Sequence, residues 1–497
     1  MTVRVNHLLR RRLEAAGTRR LARRPTDADS LYRELLRAEL ARGTDFGDDY
    51  EHLLALRPAI DASGFRLLDG GRARKAAGCY YTPPEFIDAA LDAALEPLLD
   101  EHGPDVRVLD PACGSGRFLV AAGERITRRG GDPATCLIGM DRDPLAVGLA
   151  RAALRRAFGT TGRILCGDGL MARGRYDLVI GNPPFVNAIE GAGVAADLRH
   201  RFPQIRGAAD LAYYFLARAM ELVRPGGRVA LVLPRPALCA PALADFRASL
   251  PQHLRPILID APDTSRRFRG ALVFACLVVL GPGGTCRVRC GSDTAVGELS
   301  SSNWWAALNA LIDGPPPVVD GPPLADTFEV TAGLTAAEAY DLRTFVSERP
   351  AARRGRLVTT GLIDPGVNHW GERTCRFLGR DYCHPVVTNF GLPGTLTRRL
   401  VRSHRPKLMI AGLSRRIECV IDADGAYLPS VGTFAIWHPT DDVSALAALG
   451  DWLHSPEVAR LWRDALGANA VGGGDTVMTK AFLRSVPVTA TAVCRLA

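Results

Sequence analysis

Val106-Arg107-Val108-Leu109-Asp110-Pro111-Ala112-Cys113-Gly114-Ser115-Gly116 is a short apolar run that stops at an acid and breaks into a turn with two glycines. Glycines at such a turn let the backbone bend tightly and lie against a ligand with no Cβ in the way. A helical stretch, Phe118–Ile126, follows. The next apolar run, Leu137–Met140, ends at Asp141, and a third, Ile164–Cys166, leads to Asp168. In open parallel sheets ligands bind at the carboxyl ends of the strands, so three acids at three successive strand ends point to a nucleoside-like ligand. Asp141 stands where an acid accepts hydrogen bonds from ribose hydroxyls, and Asp168 where one could hold an adenine amino group. Position 119 is Leu rather than the third glycine of a dinucleotide fingerprint, which argues against NAD.

Outward from this stretch the βα rhythm continues. Strands are expected at Leu178–Ile180, Val229–Leu233, Ile257–Ile259 and Leu272–Leu280, with helices at Pro84–Leu99, Pro144–Phe158 and Leu211–Val223 between them. The alternation predicts an α/β fold with a doubly wound, mostly parallel sheet over residues 76–285. Residues 1–75 alternate charged and apolar positions at helical spacing, as at Leu31, Leu35, Leu36 and Leu40, and read as a small helical segment. Clusters such as Gly281-Pro282-Gly283-Gly284 and Gly314-Pro315-Pro316-Pro317 mark residues 286–324 as a linker region. Residues 325–497 form a second domain of less regular patterning.

The fourth strand runs into Asn182-Pro183-Pro184-Phe185 on the same sheet edge. This turn suits methylation of an exocyclic amino group, whose lone pair is delocalised and therefore weakly nucleophilic. Two acceptors that take its N–H hydrogens, the Asn182 side-chain oxygen and the Pro183 carbonyl, would localise that pair. Proline fixes φ and holds the preceding residue extended, so the turn is rigid, as preorganised stabilisation requires. Phe185 can stack on a planar substrate, where each base–aromatic contact is worth ~1–3 kcal/mol.

Composition bounds the rest. The chain has 497 residues, 47% of them hydrophobic and 23% charged, as in an ordinary globular protein. There is no N-terminal apolar h-region, and the longest apolar stretch, Ala271–Leu280, is too short to span a bilayer, so a cytoplasmic protein is expected. Twelve scattered cysteines do not form a disulfide framework. Cys286, Cys290, Cys375, Cys383 and His384 come nearest to metal-ligand spacing, but no Cys-x-x-Cys exists, and no metal is expected. The net charge of +9 fits a polyanionic partner. The near absence of lysine (Lys75, Lys407, Lys480) beside abundant arginine is also what a coding bias produces; clustering of arginines at 10–24, 353–356 and 398–416 favours nucleic acid. Trp304, Trp305 and Trp370 read as core before they read as wedges for DNA.

Taken together, Asp110-Pro-Ala-Cys-Gly-Ser-Gly116 and Asn182-Pro-Pro-Phe185 resemble the motifs of gamma-class, Taq-type, S-adenosylmethionine-dependent adenine-N6 DNA methyltransferases. The resemblance is strong over about residues 78–280. It implies a Rossmann-like class I methyltransferase sheet of seven strands and a C-terminal mixed target-recognition domain. It also implies S-adenosylmethionine as donor and double-stranded DNA as partner, with a flipped-out adenine as acceptor. By the same match Tyr81, Thr82, Asp110, Ala112, Gly114, Gly116, Asp141 and Asp168 bind the donor, and Asn182, Pro183, Pro184 and Phe185 form the catalytic turn. Asp210-Leu211-Ala212-Tyr213-Tyr214-Phe215 matches the helix beside the pocket. A looser match in the last third makes Lys407, Arg415, Arg416 and Lys480 phosphate contacts, with surface solvation as the competing reading. Gly169 departs from the aromatic or alanine that often follows the adenine-binding acid. No Pro-Asp…(Asp/Glu)-x-Lys nuclease constellation is present, so a fused restriction activity is not expected; the chain is expected to be a monomer that works beside a separate restriction endonuclease or as a stand-alone modifier. The alternatives are an RNA base methyltransferase, a protein-glutamine or small-molecule N-methyltransferase, and an inactive DNA-binding subunit.

Overall fold

The computed structural model describes residues 2–22, 26–41, 56–61, 64–68, 82–186, 192–207, 209–251, 253–262, 274–299, 302–388, 392–470 and 475–489. They divide into two compact units, residues 1–308 and 309–497, the division falling within the helix Trp304–Asp313.

The first unit is built on one sheet. Its strands are β3 (Val108–Asp110), β4 (Leu137–Asp141), β5 (Arg163–Cys166), β6 (Tyr176–Gly181), β7 (Val223–Pro234), β8 (Arg255–Ala261), β9 (Ala275–Gly281), β10 (Cys286–Cys290) and β11 (Asp293–Gly297), after an N-terminal pair β1 (Arg57–Asp61) and β2 (Gly64–Leu68). The order is β11-β10-β8-β9-β7-β6-β3-β4-β5. Pairings β5/β4, β4/β3, β3/β6, β6/β7 and β8/β10 are parallel; β7/β9, β9/β8 and β10/β11 are antiparallel. Strands β6 and β9 are buried along their whole length, as expected for central strands covered on both faces. The covering helices carry their own stop and start signals. Asp143 caps Pro144–Phe158 through the Leu145 N–H, with proline at the first position, and Gly159 ends that helix in the left-handed conformation.

Three expectations change. The sheet has nine strands, not seven, because Cys286–Cys290 and Asp293–Gly297 pair as a hairpin and continue it beyond β8. Residues 286–297 are therefore part of the first unit rather than of a linker. Their alternation is legible in hindsight, Cys286 and Val288 buried and Arg287 and Arg289 not. The N-terminal segment is not only helical. Helices Thr2–Leu21 and Ala28–Ala41 are followed by the β1–β2 hairpin, and Leu13, Leu31, Leu36, Phe65 and Leu67 pack with Leu145, Ala146 and Leu149 of the helix after β4.

The second unit holds two four-stranded sheets. One orders Glu329–Ala332, Thr433–Trp437, Lys407–Ala411 and Cys419–Asp422; the other orders Val346–Glu348, Pro385–Val387, Arg356–Val358 and Tyr427–Pro429. Two apolar clusters lie on them, one including Leu408, Ile410, Leu446 and Trp462, the other Leu357, Phe377, Met409 and Leu428. Met409 and its neighbours Leu408 and Ile410 face opposite clusters, as alternation along a strand dictates. Among the described residues no helix is long and apolar enough to cross a membrane.

Candidate active site

Strand order places the site. From β3 the chain winds outward through β4 to β5, then returns to lay β6 on the other side of β3. The gap above β3 and β6 is the point where the winding reverses, the place where doubly wound sheets leave a crevice at their carboxyl edge. The two singled-out motifs are the turns that follow these two strands.

At β3 the chain ends on Asp110, which is buried. Its Oδ1 accepts the Ala112 N–H at 3.0 Å, closing the turn on itself. Burial pushes this carboxyl up to about 8; the Ala112 N–H pulls the other way, and the Asp141 charge adds to the rise. The glycine turn is tied to the neighbouring strands by the Cys113 N–H, which donates to the Met140 carbonyl at 2.9 Å, and by the Gly114 N–H, which donates to Asp141 Oδ2 at 2.9 Å. Asp141 Oδ1 accepts from the Asp143 N–H at 2.8 Å. Each Asp141 oxygen thus takes one backbone N–H and keeps acceptor capacity for a diol.

The third expected acid, Asp168, caps a single helical turn through the Leu170 N–H at 3.0 Å. Its Oδ2 accepts from Arg142 Nη2 at 2.7 Å, a contact that sequence reasoning missed. The signal for it was the position of Arg142, one residue beyond Asp141 at the same sheet edge. Gly169, the departure noted in the sequence, has a steric reason: a Cβ there would stand 1.8 Å from the Pro111 carbonyl oxygen. The turn after β5 and the turn after β3 are in backbone contact, and no larger residue fits.

On the other side of β3, Gly181 brings the end of β6 against Asp110, so closely that a Cβ at 181 would lie 2.5 Å from Asp110 Oδ1. Asn182 follows, half-buried. Its Nδ2 donates to Thr82 Oγ1 at 3.0 Å, and its Oδ1 is the buried acceptor end of the amide. Thr82, expected to line the donor pocket, is itself buried and holds the Asn182 amide. Pro183 and Phe185 are buried and Pro184 is half-buried. Phe185 shows 8% of its surface, so it is not presented as an open stacking face. The turn is anchored behind by Asp210, whose Oδ1 accepts from Val186 at 3.3 Å and from Ala212 at 2.9 Å while the Leu211 N–H donates to the Val186 carbonyl. Burial raises the Asp210 carboxyl to about 6 against those backbone bonds. Asp210 entered the sequence reading only as the start of a helix; its part in holding the turn is a second missed contact.

Ala112 and Gly116 lie in the glycine turn as expected, whereas Tyr81 falls outside the described residues. The four residues of the second unit expected to contact phosphate part company. Lys407 is fully buried, and its Nζ donates to the Ser403 carbonyl at 2.6 Å and ion-pairs with buried Asp422. It cannot be a phosphate contact: it sits on a central strand of a sheet with its charge neutralised inside. Arg415, Arg416 and Lys480 are exposed, Arg415 lying 3.5 Å from Asp475. Trp304 and Trp305 are buried, and Trp370 donates its indole N–H to the Pro385 carbonyl at 3.0 Å. Among the described residues the cysteines are all free, and no three His, Cys, Asp or Glu side chains gather as a metal site would need.

Residues 45–247 match the family model described as N-6 DNA Methylase. The chain is 26% identical over 223 residues to the type II methyltransferase M.BanIII of Aneurinibacillus aneurinilyticus, covering 41% of this chain and 38% of that one. It is 32% identical over 168 residues to a tRNA (guanine(6)-N2)-methyltransferase of Thermus thermophilus, covering 32% and 45%. The chain thus spans less than half the length of either relative. In fold it is similar to the type IIL restriction-modification enzyme MmeI, solved in complex with DNA, with a TM-score of 0.52 and 15% identity over 84% of this chain and 69% of that one.

Proposed function

We propose that this chain, whose residues 45–247 match the N-6 DNA Methylase family model, is a member of that family and transfers a methyl group from S-adenosylmethionine to the N6 amino group of adenine in duplex DNA. One observation supports the reading above the rest. The amide of Asn182 is locked by Thr82 at the end of β6, and the same backbone lies against Asp110 at the end of β3. An acceptor turn and a donor-side turn are therefore neighbours across one strand pairing.

The residues present fit the donor. The acceptor capacity left on Asp141 suits a ribose diol, Asp168 suits the adenine end, and the glycine turn leaves room for the methionine end. When bound, the donor supplies an electrophilic methyl carbon on a sulfonium. The chain's own part is to receive and polarise the amine. Asn182 Oδ1 and the Pro183 carbonyl accept its two N–H hydrogens, which shifts its lone pair out of the ring. The proline pair keeps both oxygens in place without reorganisation. The amine loses a proton to water after the new N–C bond forms, so no strong base is needed at the turn. Burial keeps Asp110, which is raised to about 8, largely protonated at neutral pH. A neutral carboxyl there avoids a fixed anion under the backbone that leads to Asn182.

In this reading the adenine is flipped from the stack, at a cost of a few kcal/mol. The second unit supplies phosphate contacts, among them Lys480, Arg415 and Arg416. The enzyme acts in the cytoplasm as a monomer beside a separate restriction endonuclease. The resemblance to a tRNA guanine-N2 methyltransferase keeps an RNA base amine as the second reading. Incubation with radiolabelled donor and, in parallel, duplex DNA, structured RNA and protein acceptors separates the two. Label in adenine N6 of duplex DNA is the expected result; label confined to RNA or protein overturns it.

A further inference from the structure

The second unit carries a cationic recess. Helix Gly394–Arg402 reads Gly-Thr-Leu-Thr-Arg-Arg-Leu-Val-Arg. Leu396 and Leu400, four apart, are buried and fix the face turned to the core. Thr395, Arg398, Arg399 and Arg402 recur at i, i+3, i+4 and i+7, one stripe of the same helix. All four line a cavity of about 490 Å³, together with Lys480 from the start of helix Lys480–Ser485. Residues about eighty positions apart thus bring four cations to one hollow.

The charges are not equivalent. Arg399 is held by Glu338 at 3.0 Å, the carboxylate in the lining, and donates to the Ala332 carbonyl at 3.2 Å. Arg402 pairs with Glu329, and its guanidinium lies over the Trp437 ring at 4.4 Å. These two are fixed wall. Arg398 and Lys480 are exposed and make no ion pair among the described residues. Pro393 gives the helix no side-chain cap, so the positive end of the helix opens beside Thr395. A neutral or cationic ligand would leave this charge unanswered. A small free anion would be better served by a closed pocket, whereas the exposed Thr395, Arg398 and Lys480 suit a chain of anions running past.

We propose that this recess seats a backbone phosphate of duplex DNA, with Arg398 and Lys480 as its direct contacts and Arg399 as a preorganised wall. The assignment rests on the adenine-N6 DNA reading and gives it a place on the second unit. The full chain is titrated with a fluorescent duplex of arbitrary sequence at a series of salt concentrations. The double variant Arg398→Ala/Lys480→Ala should bind at least about tenfold more weakly, and its slope of log affinity against log salt should fall by about one, for the one phosphate no longer neutralised. Arg398→Lys/Lys480→Arg should keep the slope. Arg376→Ala/Arg380→Ala, which removes two exposed cations from elsewhere in the unit, should lower it less. Affinity for S-adenosylhomocysteine, measured on every variant, should not move. An unchanged slope in the first variant, or an equal loss in the Arg376/Arg380 variant, overturns the site while leaving DNA as acceptor. Failure of the unaltered chain to bind any duplex overturns both.

Discussion

Asn182 and Thr82 are a hundred residues apart, and one hydrogen bond between them sets which way the amide faces. Thr82→Val keeps the shape and removes the acceptor, so the amide is free to turn. Turnover at saturating donor should drop about tenfold, the equivalent of one lost hydrogen bond of ~1.4 kcal/mol. Asn182→Ala should abolish transfer and leave donor affinity near that of the unaltered chain, as equilibrium dialysis would show. Asp110 makes a second, independent test through pH. Its folded value, about 8, lies above the usual ~3.9. The stability it contributes is complete below the unfolded value and is lost as pH rises through the folded one. Asp110→Asn keeps an acceptor for the Ala112 N–H, so the melting temperature of the variant should gain on that of the parent between pH 5 and 8 and level off above. A constant difference across that range would remove the buried charge from the account. Asp110 and Asn182 were legible because each stands where a strand gives way to a turn with unusual chemistry, while Thr82, just before the helix Pro84–His102, was legible only through the family resemblance. Lys407 was not legible: a lysine in a basic stretch reads as surface, and only the strand register shows it facing Asp422 inside. Lys407→Ala should cost the second unit ~3–5 kcal/mol by stranding that carboxylate, while the salt dependence of DNA binding stays as it was.

Elements were legible where their period was unambiguous. The helix at Pro144–Phe158 falls on the expected residues because an aspartate cap, a first-turn proline and a terminal glycine bracket an apolar stripe. Strands β3 to β9 were found from their apolar runs. The β10–β11 hairpin was not, since glycines and prolines before it resemble a linker and its outer strand is largely exposed. What fastens it is Arg289, which pairs with both oxygens of Asp260 on β8. The contact between turns was equally hidden, because sequence gives no distance from Gly169 to Pro111. Gly169→Ala forces the two turns apart. It should cost ~1–3 kcal/mol of stability and weaken donor binding more than it weakens the fold, as titration calorimetry beside thermal melts would show. Normal donor affinity in a stable variant would disprove the coupling.

For the molecule as a whole, the glycine and proline clusters at 281–284 and 314–317 suggested a linker between two domains, whereas the two compact units part inside the helix Trp304–Asp313. How the basic residues divide between interior and surface needed coordinates. Hydrogen exchange offers a map of the complete chain. S-adenosylhomocysteine should protect peptides around 110–116, 139–145 and 180–186. Protection of 394–402 and 479–485 should wait for added duplex DNA. Protection of these last segments by the nucleoside product alone would contradict the separation of roles.

Because β3 and β6 are immediate neighbours, the two turns above them are one interstrand step apart, roughly 4.8 Å. That length is fixed by amide-to-carbonyl pairing and not by any side chain. Loops at this edge can drift in sequence and length, yet the ruler beneath them has no freedom to stretch.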